Sequence, residues 1–438
     1  KLKPEFVPKC FKAYKVPEKL KPEIQNHIQQ MLDADIIRPS KSPMVSPLVV
    51  VLKGKDGQDG LRLAVNYKYL NSHTVVDPYP VPDIEGIIQR VGKSKYISTF
   101  DISSAYWQTQ VRSQDQWLTG FICEEGVYEF TRTPYGMINS GSTFIRTINT
   151  VLKPLQHLAE AYVDDIICHT RSGWDLHLQQ MEQFLQAIKN AHLTLKLRKC
   201  RFGLPEVKFC GRIIGSGTKR PDPQKVATIQ NLKPAQTKTQ VRQLMGLFTF
   251  FREHIPNFSE LALPLTDLTS KKVSNLVPWT EVHTQALNEL KDALCKATNE
   301  KLHIADLDKP FNIFVDASEF AVAGILTQTG DQGTELPLAF FSAKLNETQR
   351  KWAVIEKEAY AALIALNKFR QWIWGNEIHL FSDHNPLSFL AESNSTGKSP
   401  MLTRWFLALQ EHNLRFHYKS GKYNQAADCL SRLGAGSQ

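Results

Sequence analysis

The chain has 438 residues, 42% hydrophobic and 22% charged, too long for one ordinary core, so roughly two to four domains, and too apolar for a disordered polymer. Its formal net charge of +10 and pI near 9.1 favour a polyanionic partner, either nucleic acid or an anionic membrane surface. No apolar run approaches the roughly 20 residues that cross a bilayer, so a membrane partner is not expected.

The opening Lys1-Leu2-Lys3-Pro4-Glu5, with neither initiator methionine nor signal peptide, fits a piece cut from a longer precursor. Residues 1–45 are rich in Lys and Pro and carry one predicted helix, 22–35, with Ile24, Ile28, Met31 and Leu32 at helical spacing. Two β-branched strands follow, 47–53 and 61–67. Between them Gly54-Lys55-Asp56-Gly57-Gln58-Asp59-Gly60 holds two Asp-Gly pairs, typical of a hairpin tip. Lys53, Lys55 and Arg62 gather at that tip, where composition does not separate a functional cluster from incidental charge. Strand 95–101 ends in Asp101, and 102–108 turn toward a helix or a second strand. An acid at a strand end has free carboxylate oxygens and suits a metal, although a lone Asp there is more often a helix cap. The small-residue loop 133–144 leads into a helix over 143–155, with Ser142 or Thr143 as the N-cap, and would let a flat ligand approach the backbone.

Ala161-Tyr162-Val163-Asp164-Asp165-Ile166-Ile167-Cys168 reads as strand, acidic turn, strand. Two carboxylates about 4 Å apart repel by roughly 4 kcal/mol at an effective dielectric of ~20, and a divalent cation relieves that well. Asp-Asp turns are common, so the doublet alone decides nothing. Beyond it come an amphipathic helix, 176–190, the basic knot Lys196-Leu197-Arg198-Lys199-Cys200-Arg201, and two short β-segments, 207–210 and 212–214, flanking Gly211. The Gly/Pro-rich stretch 215–223 reads as a linker. Thr237-x-x-Gln240 has capping-box form, and with a second helix over 280–296 the 220–300 block reads as a separate small helical subdomain. From Pro310 the pattern is mixed: strands 311–317, 324–329 and 336–342, a long helix 348–369 containing Glu358, strand 377–383, strand 413–418, and a last small helix holding Asp428. That is a compact α/β domain. The seven scattered cysteines form no C-x-x-C pair, so reduced thiols in a reducing compartment are expected.

Taken together and in order, these motifs resemble one family. Phe100-Asp101 through Gln108, with Tyr162-Val163-Asp164-Asp165, is similar to the catalytic palm of a reverse transcriptase, and Arg62 through Asn71 resembles the preceding fingers motif. Gln243-Leu-Met-Gly-Leu-Phe-Thr-Phe-Phe-Arg252 resembles the thumb-region motif of gypsy-type LTR retrotransposons (Metaviridae). Phe314-Val-Asp-Ala-Ser318, Glu356-Lys-Glu-Ala-Tyr-Ala361, Ser382-Asp-His384 and Ala427-Asp-Cys-Leu-Ser-Arg432 resemble the attached ribonuclease H. The resemblance covers about residues 15 to 433.

It implies an α+β multidomain chain, a right-hand polymerase of fingers, palm and thumb followed by an α/β ribonuclease H-like domain. The expected boundaries are 1–215 for fingers and palm, 216–305 for a helical thumb or connecting region, and 306–438 for the nuclease. Asp101, Asp164 and Asp165 match the polymerase carboxylates, with the Ile102 carbonyl as a further metal ligand. Arg62 matches the contact to the incoming triphosphate, with Lys53 a second candidate. Tyr106 matches the residue under the sugar that excludes a 2′-OH, Tyr135 and Gly136 the loop beside the nascent base pair, and Phe209-Cys210-Gly211 the turn that steadies the primer end. Asp316, Glu358, Asp383 and Asp428 match the four-carboxylate nuclease site, while Glu356 is expected to be a surface charge and His417 structural. Each active site implies two divalent ions, Mg²⁺ or Mn²⁺. The implied partners are an RNA template, a DNA primer, an RNA–DNA hybrid, dNTPs and a tRNA or other RNA primer, acting on a monomer or homodimer in cytoplasmic virus-like particles and later in a nuclear pre-integration complex. Two patterns depart from the family: Val65-Asn66-Tyr67-Lys68 replaces the usual Val-Asp-Tyr-Arg, and Cys210-Gly211-Arg212 the usual Leu-Gly-His. A non-catalytic nucleic-acid-binding descendant is the alternative, yet no expected acid is missing from the sequence.

Overall fold

A computed structural model of the chain describes residues 1–52, 61–382 and 400–418. The expected hairpin tip with Lys53 and Lys55, and the positions Asp383, His384 and Asp428, lie outside the described residues. Among the described residues no helix is long and apolar enough to cross a membrane. The chain divides into two compact units, residues 1–87 with 94–205 and residues 88–93 with 206–438.

The first unit holds two sheets. One has five strands in the order Ile37–Pro39, Gly126–Phe130, Phe121–Cys123, Ser46–Leu52, Leu61–Val65. Its inner face packs on helix Lys21–Asp33 through Ile24, Ile28 and Met31, the expected apolar stripe. The second sheet has the order Ala159–Tyr162, Asp165–Thr170, Tyr96–Asp101, Arg201–Leu204. Under it lie helices Ser140–Leu152 and Trp174–Asn190, whose Phe144, Ile148, Phe184 and Ile188 meet Phe100, Ile166 and Cys168 in one core. The helix expected at 143 starts earlier, at Ser140, and neither Ser142 nor Thr143 is its cap. Asn139 stands at the N-cap position with its side chain spent elsewhere, accepting from the Asp77 N–H and donating to the Val75 carbonyl.

In the second unit the expected linker is a structured hairpin. Strand Arg212–Gly215 pairs with Thr218–Pro221, Ser216 (φ 52°) and Gly217 (φ 74°) forming the left-handed tip, and helix Pro223–Gln230 follows with Asp222 capping the Gln224 N–H. Helices Lys238–Phe250 and Glu281–Asn299 do form where periodicity predicts them, and the Thr237 capping box is present. The block they belong to also meets the following sheet, where Arg252 donates to the Ser342 carbonyl and Ser259 N–H to Ser342 Oγ. That sheet runs Glu335–Lys344, Ala321–Thr329, Phe311–Ala317, Glu377–Ser382, Asn413–Tyr418, with antiparallel pairings followed by two parallel ones. The expected long helix is broken into Glu347–Arg350 and Val354–Ile373. The second begins afresh at Ala353, whose N–H donates to the Glu356 carboxylate. Glu356 is therefore a cap and not merely surface charge.

Arg212, the departure from the family's His, is explained by a buried ion cluster. Its guanidinium donates to Glu253 Oε1 at 2.8 Å, and Lys219 Nζ stands 3.1 Å from Oε2 of the same carboxylate. Burial pushes the Glu253 carboxyl up, but Lys219, His254 and Arg212 outweigh it and hold the group well below the usual range. Glu253→Ala removes the carboxylate that two buried cations share. It should cost about 3–5 kcal/mol, read as a lower midpoint for the second unit in denaturant unfolding, whereas Glu356→Ala should cost only about 1 kcal/mol, the worth of a cap.

Candidate active sites

Strand Tyr96–Asp101 pairs antiparallel with Asp165–Thr170, which sets Asp101 directly opposite Asp165. Asp165 also closes the hairpin against Tyr162, so Val163 and Asp164 are the whole loop. A loop this short needs a left-handed residue, and Val163 takes it at φ 58°. For a β-branched side chain that costs on the order of 1–3 kcal/mol, strain that the flanking pairs must hold in place. Asp101 is thus a strand-end acid among other acids and caps no helix.

The three carboxylates lie within electrostatic reach of one another. Asp165 is pushed up from the ordinary aspartate value by partial desolvation first, then by the charges of Asp164 and Asp101, with Lys199 opposing. Lys199 Nζ sits 2.9 Å from Asp101 Oδ2, and that bond raises the lysine in turn. Among the described residues no three His, Cys, Asp or Glu side chains stand close enough to share one ion as placed. The compensating charge in this arrangement is the Lys199 ammonium. The donor set itself, carboxylate oxygens in excess of local positive charge, fits a hard divalent cation. Ile102 is buried, bridged to Leu195.

A cavity of about 540 Å³ opens between the two sheets of this unit, lined by Arg62, Asp101, Ile102, Tyr135, Asp164 and Lys199 among others. The Arg62 guanidinium stacks 5.1 Å from the Tyr135 ring, and Tyr135 packs 5.0 Å from Tyr106. Burial, then the charge of Asp164, raises the Tyr106 hydroxyl. The loop carrying Tyr135 and Gly136 is held by Asn71, which donates to the Gly136 carbonyl and accepts from the Ile138 N–H, both at 2.8 Å. Gly136 has φ 93°, and a Cβ there would meet the Val65 carbonyl at 3.3 Å. The structure thus brings Arg62, Tyr106, Tyr135, Gly136 and the three aspartates into one region. Sequence reading missed Lys199, hidden in a basic knot whose other members carry no such contact, and Asn71, whose role depends on a loop far along the chain.

In the second unit, Phe209-Cys210-Gly211-Arg212 makes a tight hairpin turn with Cys210 at φ 45° and Gly211 at φ 76°. Asp316 is exposed at the end of strand Phe311–Ala317, and Glu358 is buried at 2% exposure, accepting from Ser382 Oγ at 3.2 Å. Ser382 ends its strand immediately before Asp383. His417 Nε2 lies 2.8 Å from His379 Nδ1 and its ring stacks on Phe381, a structural role.

Residues 52–214 match the family described as reverse transcriptase (RNA-dependent DNA polymerase), and 306–412 that described as the RNase H-like domain found in reverse transcriptase. The chain is 34% identical over 438 residues to the retrovirus-related Pol polyprotein from transposon opus of Drosophila melanogaster, matching 96% of this chain and 43% of that protein. It is 33% identical over 424 residues to the one from transposon gypsy of the same organism, matching 93% and 40%. The chain therefore spans less than half the length of these relatives. Among solved structures it is similar to the foamy viral protease-reverse transcriptase in complex with dsDNA (26% identity, TM-score 0.82, 95% of this chain and 86% of that one). It is also similar to the same viral protein in complex with an RNA/DNA hybrid (27% identity, TM-score 0.74, 95% and 56%).

A carboxyl raised in the folded chain above its unfolded value of about 3.9 weakens folding wherever it is ionised. Stability then falls as pH rises through the raised value, and the penalty is absent below the unfolded one. Asp165→Asn should therefore raise the thermal midpoint of the metal-free protein at neutral pH, by a margin that shrinks as pH is lowered toward 4. Calorimetry across that range checks it.

Proposed function

We propose that the chain, similar to the reverse transcriptases of retrovirus-related, gypsy-type Pol polyproteins, is an RNA- and DNA-directed DNA polymerase joined to a ribonuclease for RNA–DNA hybrids. Its task would be to convert retrotransposon RNA into double-stranded DNA. The observation that carries this reading is the cavity into which a fingers arginine, stacked on Tyr135, and the carboxylates Asp101 and Asp164 all open. We assign fingers and palm to 1–215, a helical thumb or connecting region to 216–305 and the nuclease to 306–438. The ends of the two family matches, 214 and 306, support these limits.

Proteins of these families are generally dependent on divalent metal. Asp101, Asp164, Asp165 and the Ile102 carbonyl would hold two Mg²⁺ ions, Mn²⁺ being the substitute, and Asp316, Glu358, Asp383 and Asp428 another two. When bound, such ions acidify an attacking hydroxyl or water and stabilise the leaving oxygen. The chain's own groups do the rest. Arg62, kept flat against Tyr135, offers a bidentate grip on the triphosphate of an incoming dNTP, with Lys53, nine residues earlier in the sequence, a second candidate for the same contact. Tyr106, braced by Tyr135 and Phe144, would close the space a ribose 2′-OH needs. Tyr135 and Gly136, on the loop pinned by Asn71, would bear on the nascent pair. The Phe209–Gly211 turn would steady a DNA primer end on an RNA template, initiation using a tRNA or other RNA primer. The setting would be cytoplasmic virus-like particles, then a nuclear pre-integration complex.

Primer extension on an RNA template, run beside cleavage of a labelled RNA–DNA hybrid, tests the reading. Asp165→Asn should abolish dNTP incorporation and leave hybrid cleavage, while Asp316→Asn does the reverse; joint loss in either folded variant would sink the two-site assignment. Tyr106→Ala should let rNTPs in, narrowing the dNTP preference by about 100-fold or more. Binding to a primer–template should weaken steeply with salt, with a log–log slope of several units if several phosphates are neutralised.

A further inference from the structure

After Asp101 the chain must reverse. Ser104 turns it in the left-handed region, φ 46°, and Ala105–Gln108 follow as one 3-10 turn. That turn carries the Gln108 side chain back to the loop it has just left. Gln108 Nε2 donates to the Ser103 carbonyl and, at 2.9 Å, to the Thr194 carbonyl. Gln108 Oε1 accepts from the Thr194 N–H at 2.7 Å. A primary amide carries an N–H donor and a carbonyl acceptor side by side, as a peptide unit does, so Gln108 grips both backbone polar groups of Thr194.

The gripped residue begins the segment that lies against the Asp101 turn. Ser103 N–H donates to the same Thr194 carbonyl at 2.9 Å, Ile102 bridges Leu195, and Lys196 N–H donates to the Asp101 carbonyl at 2.8 Å. Five residues after Thr194, Lys199 Nζ reaches Asp101 Oδ2. The backbone ladder between these segments is short, and Gln108 extends it by one side chain.

We propose that Gln108 is a positioning residue of the polymerase site, acting through the Thr194–Lys199 segment to fix the Lys199 ammonium against Asp101. The inference rests on the polymerase reading above. It predicts a specific coupling: Gln108 matters to incorporation only while Lys199 is there to be positioned.

The test uses the full chain with Gln108→Leu, Lys199→Met and the double variant. Hydrogen exchange at the Thr194 amide should speed up about tenfold or more in Gln108→Leu. The kcat for dNTP incorporation should fall about tenfold, the scale of a small misplacement at a reacting centre, with primer–template affinity and hybrid cleavage unchanged. In the Lys199→Met background the same substitution should cost less than about twofold, because residues acting as a unit are not additive. Additive losses, or Thr194 exchange equal to wild type, would overturn the proposal. Should Gln108→Leu lose hybrid cleavage as well, Gln108→Glu is read instead: of nearly the same shape, it keeps the acceptor for the Thr194 N–H but cannot donate to the two carbonyls, so it is expected to show the same fall in kcat and the same coupling to Lys199→Met, and additive losses there would overturn the proposal. A wild-type chain that incorporates no dNTP would overturn the polymerase reading and this positioning role with it, whereas slow Thr194 exchange in an active enzyme with uncoupled variants would overturn the role alone.

Discussion

Three aspartates held against one another set the terms for the palm. Asp101, Asp164 and Asp165 repel, and a fold that brings them together must oppose that repulsion with rigid structure and positive charge. The rigidity comes from direct cross-strand pairing of Asp101 with Asp165 over a core of Phe100, Ile166 and Phe184. It is reinforced by a loop so short that Val163 is forced into left-handed backbone. The charge comes from Lys199. Asp165 holds its proton more tightly than an ordinary aspartate, through desolvation first and then its acidic neighbours, while Lys199 is held in its charged form by its bond to Asp101: a carboxylate cluster that asks for cations and a lysine that answers.

Around this cluster the cavity is built from segments far apart in the chain. Arg62 leaves one strand of the first sheet, Tyr135 stands on a loop some seventy residues on, and Asn71 ties that loop back to the helix after the Arg62 strand. An aromatic stack from Arg62 through Tyr135 to Tyr106 and Phe144 then reaches the palm core. Such a stack limits where a guanidinium can point, which is the property phosphate recognition requires.

The second unit handles charge differently. Glu253 sits where Arg212 and Lys219 can both reach it, so the departure from the family pattern at Arg212 is matched by a buried carboxylate that it shares with a second cation. Removing either cation from a buried cluster costs more than forming the cluster gains, which makes it a lock on geometry rather than a source of net stability. Glu358 is buried against Ser382, so helix Val354–Ile373 presents an acid from the protein interior, while Asp316 is exposed.

The sequence by itself determined the acids, their order and the strands that end in them. Local alternation and turn chemistry are written in neighbouring residues, and the periodic helices beginning near 22, 238 and 281 appear where apolar spacing puts them. It also made the departures at Asn66 and Arg212 visible. It misjudged 215–223, because Gly and Pro mark a hairpin tip as readily as a linker, and it left unseen where the 220–300 block meets Ser342 of a later sheet, because amphipathic helices do not announce which face does so. Only the tertiary structure decided that one lysine of a basic run, Lys199, would turn to Asp101, that Asn71 would hold the Tyr135 loop, and that Gln108 would grip Thr194. Each of these depends on contacts between segments tens of residues apart. A single side-chain hydrogen bond across such a distance leaves no period and no local composition to read.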